Sequence, residues 1–145
     1  MQKNICNIMK KVVLLFILIC FSCSKKIEKE DLKNINGYWE IKSVETSEGV
    51  SKQYKVNETI DYFEIKNNKG YRQKVMPQLD GKYLTNGVQE TVNIIEKNNE
   101  IYLEYKTKYG KWRETLISIS DSTMELKNVN NTVYNYKRFV PFSLK

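Results

Sequence analysis

From Gly37 onward, apolar and polar side chains alternate in short runs, each closed by Asn, Gly or Asp. A period of two marks a strand with one buried face. The first run is Tyr38-Trp39-Glu40-Ile41-Lys42-Ser43-Val44. Residues 59–66 and 71–76 follow, split by Asn67-Asn68-Lys69-Gly70, a hairpin signal because Asn and Gly tolerate positive φ. Asp80-Gly81 and Asn86-Gly87 bracket a short run over 82–85. Runs at 88–95, 101–107, 112–119, 123–127 and 132–139 complete the series, with turns at 97–100, 109–111, 121–122 and 128–131. Strand signals at intervals of roughly 8–12 residues predict an all-β fold of about eight antiparallel strands joined in order.

Such a meander must hide two edge strands. Closure into an up-and-down barrel does so completely; an open sheet or a two-sheet sandwich is the alternative. Pro77 falls where a run ends, the position in which a missing N–H costs least. Residues 46–56 form a long connection that can serve as a lid. Before the first strand, Ile27, Leu32 and Ile35 fall loosely on one face of a short helix that Gly37 would end, although the same charged stretch also reads as plain linker.

The N-terminus has a different texture. Lys10 and Lys11 precede an apolar run over 12–21 that is too short to cross ~30 Å of hydrocarbon, and Ser22-Cys23 follows. This resembles the leader and lipobox of bacterial lipoproteins, although Cys20 and Phe21 depart from the stricter pattern. The resemblance implies cleavage after residue 22 and a diacylglycerol thioether on Cys23. Each buried CH₂ adds ~0.8 kcal/mol of membrane affinity, so several chains make a durable anchor. The expected organisation is a signal peptide over 1–22, a lipidated tether and short helix over 23–36, and a barrel over 37–145. Ser24 lacks the aspartate that retains some lipoproteins in the inner membrane, which by resemblance points to the outer membrane of the envelope.

Composition narrows the chemistry. All three cysteines (Cys6, Cys20 and Cys23) lie at or before the cleavage point, and histidine is absent, so the mature domain has no disulfide, thiol nucleophile or imidazole. No spacing marks a carboxylate pair among Glu64, Asp80, Glu104 and Glu114, and no glycine-rich phosphate loop occurs; an enzyme is not expected, nor is a cofactor or metal. Losing Lys3, Lys10 and Lys11 with the leader lowers the formal charge from +7 to about +4. That surplus is spread along the chain without the dense Lys/Arg block of a nucleic-acid arm.

A short helical turn, then Gly37-Tyr38-Trp39 opening the first strand, then a meander whose last strand holds Arg138, resembles the lipocalin family, in particular the shorter lipocalin-like domains of bacterial lipoproteins. The resemblance covers roughly residues 35–140. It implies that Trp39 packs across the closed end of the barrel beneath Arg138, with Gly37 beside them. A guanidinium over an indole is worth ~0.5–2 kcal/mol. The mature chain lacks the cysteine pair and C-terminal helix of larger lipocalins, so a deep pocket is not implied.

An eight-stranded barrel is either just filled by side chains or just able to hold a small ligand. Tyr62, Tyr83, Tyr102, Tyr105 and Tyr109 are candidates to face inward, each offering an apolar face and one hydroxyl to a small apolar or amphipathic molecule. The same tyrosines equally suit an ordinary half-wet sheet. The expected function is therefore ligand binding in the barrel mouth, and the alternative is a protein-interaction or structural module with a filled barrel. Ser122 in Asp121-Ser122-Thr123 matches a three-residue O-glycosylation signal and equally an ordinary turn. Asn57 and Asn130 fall in N-glycosylation patterns of little relevance to a bacterial chain.

Overall fold

The computed structural model describes residues 26–141; Cys23, the leader and residues 142–145 lie outside them. A 3-10 helix over Lys29–Ile35 opens the described chain. At its start the Asp31 carboxylate accepts the Glu28 N–H at 2.9 Å. The helix stops at Asn36, one residue before the expected stop at Gly37, because Asn36 is already extended. Its side chain then engages both backbone groups of Ile65, at 2.6 and 3.1 Å, and fastens the helix to the sheet.

Nine strands follow: β1 Gly37–Glu45, β2 Ser51–Gln53, β3 Ile60–Lys66, β4 Lys69–Pro77, β5 Tyr83–Lys97, β6 Glu100–Thr107, β7 Gly110–Ile119, β8 Thr123–Asn128 and β9 Val133–Arg138. Neighbours in sequence pair antiparallel from β3 to β9, and β9 returns to pair with β1 from Trp39↔Arg138 to Glu45↔Val133. Eight strands thus close a barrel, and the open-sheet and sandwich arrangements are excluded. β2 is an extra strand laid along the end of β1. It occupies part of the 46–56 connection, whose polar Ser51-Lys52-Gln53 carries no alternation for a sequence to reveal.

The two Asn-Asn turns behave as their residues dictate. Asn67 and Asn68 (φ 52° and 63°), and Asn98 and Asn99 (φ 53° and 64°), are left-handed and close two-residue hairpins. The runs expected separately at 82–85 and 88–95 are one strand, β5, with a register shift against β4 between Gln73 and Val75. Gly87 (φ 75°) lets the chain bend there without breaking. Pro77 is the last residue of β4, where a donor is not required.

Alternation sets the interior. On β6, Ile101, Leu103 and Tyr105 are buried while the residues between them are not. The core gathers Trp39, Phe63, Val92, Leu103, Leu116 and Leu126, sealed at one end by Ile35, with Ile27 and Leu32 packed against it. No described helix is long and apolar enough to cross a membrane.

Candidate functional site

The two ends of the barrel differ in chemistry. At the closed end the Arg138 guanidinium stacks over the Trp39 indole at 3.8 Å. Its Nη1 donates to Asn36 O at 2.6 Å, its Nη2 to Asn34 O at 2.7 Å and its Nε to Asp121 O at 2.9 Å. Beneath it, the Trp39 Nε1–H donates to Ile35 O at 2.7 Å. Gly37 is required beside this stack, since its φ is 106° and a Cβ there would sit 3.0 Å from Arg138 Nη1. Gly37, Trp39 and Arg138 therefore come together, and their role is closure.

Toward the mouth, the end where β1 finishes and the β6–β7 and β8–β9 turns lie, the inward positions change from apolar to charged. Asp61 follows Phe63 in this direction, Glu90 follows Val92, Tyr105 follows Leu103 and Glu114 follows Leu116, each one inward position nearer the mouth. Arg72, paired with Phe63 and Glu90 across its two neighbouring strands, holds the group together. Its Nε lies 2.5 Å from Glu90 and 3.9 Å from Asp61, its Nη1 3.7 Å from Glu114, and its guanidinium 4.4 Å from the centre of the Tyr105 ring. Lys74 reaches Asp61 at 2.8 Å. Trp112 stacks on Tyr105 with centroids 5.3 Å apart and covers the group from the mouth, itself 37% exposed.

Burial shapes the protonation of this cluster. It pushes the Glu114 carboxyl up against the opposing pull of Arg72, and holds the Tyr105 and Tyr136 hydroxyls well above 10. Three carboxylates share two cations here, so a raised Glu114 eases the imbalance. Three atoms are left short: Asp61 Oδ1, the Tyr105 hydroxyl and Glu114 Oε2 are buried without a hydrogen bond of acceptable geometry, among the described residues, although Lys74 lies 2.8 Å from the first and Arg72 3.7 Å from the last. No cluster of His, Cys, Asp or Glu able to hold a metal occurs among the described residues.

Of the five tyrosines read from the sequence, only Tyr105 lies inside. Tyr62 and Tyr83 lie on the outer wall, each beside Tyr38, whose ring stacks on Tyr83 at 4.2 Å and tilts against Tyr62 at 4.7 Å. Tyr62 pairs with Tyr38, and Tyr38 must point out if Trp39 points in. Tyr71 joins this outer row, and its hydroxyl, bonded to Glu64 at 2.8 Å, is pushed up to about 12. Tyr102 is outside beneath Arg113, and Tyr109 is 85% exposed in the β6–β7 turn. Asp61, Arg72 and Glu90 are inward residues that sequence reasoning does not single out, and Glu114 figures there only as a carboxylate without a partner, because charged residues in an alternating strand normally mark its wet face.

Residues 35–126 match the family model described as a lipocalin-like domain. Among solved structures, a lipocalin-like protein from Bacteroides uniformis is similar at 16% identity, covering 73% of this chain and 99% of its own, with a TM-score of 0.47. An uncharacterized protein from Bacteroides eggerthii is similar at 13% identity, covering 72% and 98%, with a TM-score of 0.45. No curated protein matches.

Proposed function

The chain belongs to the lipocalin-like domain family, and from that premise we propose that it is a lipid-anchored envelope protein that binds a small amphipathic ligand at the mouth of its barrel. The observation that carries the reading is the charged cluster toward the mouth, in which the Tyr105 hydroxyl, Glu114 Oε2 and Asp61 Oδ1 are buried without a hydrogen bond of acceptable geometry and Glu114 Oε2 is reached by Arg72 only at 3.7 Å. Buried polar groups in folded proteins are normally fully hydrogen-bonded, so a cluster at the mouth side of the core whose hydrogen bonds are incomplete supports a ligand group that both donates and accepts. Trp112 offers an apolar face for the rest of the molecule. The lower half of the barrel is filled by Phe63, Leu103, Met124 and Leu126, which favours a short ligand held near the mouth over a long chain threaded inside.

Support for anchoring is the resemblance of the leader and Ser22-Cys23 to a lipobox, and support for the outer membrane is that Ser24 is not the aspartate that retains some lipoproteins in the inner membrane. The reading assigns the domain no catalytic step. The test is native purification of residues 24–145, mass spectrometry of any co-purified small molecule, and calorimetric titration of the identified compound into wild type and Glu114→Gln. A stoichiometric compound whose affinity falls at least tenfold in the variant supports the reading. An empty barrel, whose melting temperature ignores a panel of amphipathic compounds, removes it.

One observation favours the second reading, a non-enzymatic interaction module. β2 pairs with β1 alone, and its three residues are exposed, so among the described residues one strand edge is open to a partner strand. A protein captured only when residues 51–53 keep their backbone N–H groups, and lost on Lys52→Pro, would support it.

A further inference from the structure

We propose that the β6–β7 hairpin is a docking element for a lipid surface bearing anionic phosphate headgroups. Residues 106–113 read Lys-Thr-Lys-Tyr-Gly-Lys-Trp-Arg, four cations and two aromatics with no carboxylate. Along the sequence these charges are interleaved and unremarked; the fold brings them onto one tip. Lys106 stands directly opposite Lys111 across the hairpin. Like charges in that position repel, and a sequence selected for stability alone would place an acid at one of them. Among the described residues, none of Lys106, Lys108, Lys111 and Arg113 is paired with a carboxylate within 4.0 Å. An unrelieved repulsion at an exposed tip is where function is expected to override local stability.

Three further features fit a lipid surface in particular. Tyr109 projects from the tip almost fully exposed, and Trp112 is partly exposed beside it, the pair of residue types that settle at the headgroup level of a bilayer. Val129 of the neighbouring β8–β9 turn, 71% exposed, extends the apolar contact at the same end of the barrel. A hollow of about 280 Å³ opens on the hairpin, bordered by Lys106, Lys111 and Arg113 with Asn93, and by Glu104 as its one acid. Flexible lysines around a small hollow, with an aromatic tip, suit mobile headgroups that need no fixed geometry. The described chain enters at the opposite end of the barrel, and the hairpin shares the mouth, through Trp112, with the proposed ligand.

The test uses unlipidated residues 24–145 with vesicles of phosphatidylcholine alone or mixed with phosphatidylglycerol, read by co-sedimentation and by quenching of tryptophan emission with brominated lipids. Binding to the anionic vesicles, weakened by salt and accompanied by quenching, is expected. Replacing Lys106, Lys108 and Lys111 together by Gln should weaken it roughly a hundredfold. The same number of charges removed at Lys66, Lys69 and Lys97, on the turns of the closed end, should leave it within a fewfold. Removing the opposed lysines should leave the melting temperature unchanged or higher, which separates the effect from unfolding. Equal loss in the two triple variants, absence of vesicle binding, or a hairpin-dependent dimer without vesicles would each overturn the proposal.

Discussion

Arg138 stacks on Trp39 while donating through all three guanidinium nitrogens to the carbonyls of Asn34, Asn36 and Asp121. One side chain therefore ties the helical plug, the start of β1 and the β7–β8 turn together. The stack is worth ~0.5–2 kcal/mol and hydrogen bonds to a charged group ~1.5–3. Arg138→Ala should cost about 3 kcal/mol, read as a lower urea midpoint at unchanged slope. Arg138→Lys keeps the charge but not the fork, and should recover less than half of that loss.

Gly70 and Gly110 make a paired test of backbone crowding. A Cβ on Gly70 would lie 1.8 Å from the Glu64 carbonyl oxygen and 2.7 Å from Ile65 Cα, both rigid backbone. On Gly110 it would meet nothing within 4 Å. Gly70→Ala should give little folded protein, whereas Gly110→Ala should stay within about 0.5 kcal/mol of wild type in the same denaturation assay.

Removing Arg72 leaves Asp61, Glu90 and Glu114 facing one another with only Lys74 nearby. Arg72→Met should cost about 3–5 kcal/mol, the penalty for stranding buried charge. Adding Glu90→Gln and Glu114→Gln to that variant should restore part of the loss. A triple variant no more stable than Arg72→Met would show that packing of the guanidinium on Tyr105, rather than charge balance, is what matters.

Glu114 makes a pH signature. Its carboxyl is raised by burial and faces Arg72, Tyr105, Asp61 and Glu90. The folded state therefore keeps this proton at pH values where the unfolded chain, ordinary at ~4.3, has lost it. Stability contributed by the group is present at low pH and declines as pH rises from the unfolded value through the folded one. Subtracting the Glu114→Gln stability profile from that of wild type should expose this downward slope. A flat difference would place Glu114 at an ordinary value.

The buried tyrosines give an optical check. Tyr105 and Tyr136 are held well above 10, so their phenolate absorbance should appear only as the barrel unfolds in alkali.

Much of the wall was legible because the sheet obeys a period of two and its hairpins carry Asn-Asn and Gly at left-handed positions. Trp39 and Arg138 were legible through a resemblance, and their contact follows from the Trp39↔Arg138 pairing of β1 with β9. Which tyrosines point inward was not, since it turns on register. Tyr62 is outside only because it pairs with Tyr38, and a one-residue slip would reverse it. The charged interior was hidden for another reason. Asp61, Arg72, Glu90 and Glu114 occupy inward positions of the alternation but are residue types that normally mark its wet face, and the fold stabilises them by pairing them with one another.

The pairing of β1 with β9 also sets an order of events. The Arg138 side chain meets Asn36 across a separation of 102 residues, so the last strand must arrive before the first can be completed. Local hairpins from β3 to β8 can form early, but the ring cannot shut on a partial chain, and the plug has nothing to lock against until it does. Non-local closure of this kind slows folding, because the entropy of bringing distant segments together is lost before their contacts form. A chain released or halted before residue 138 is left with two unpaired strand edges, so closure of the ring doubles as a test that the strands from β1 to β9 are all present.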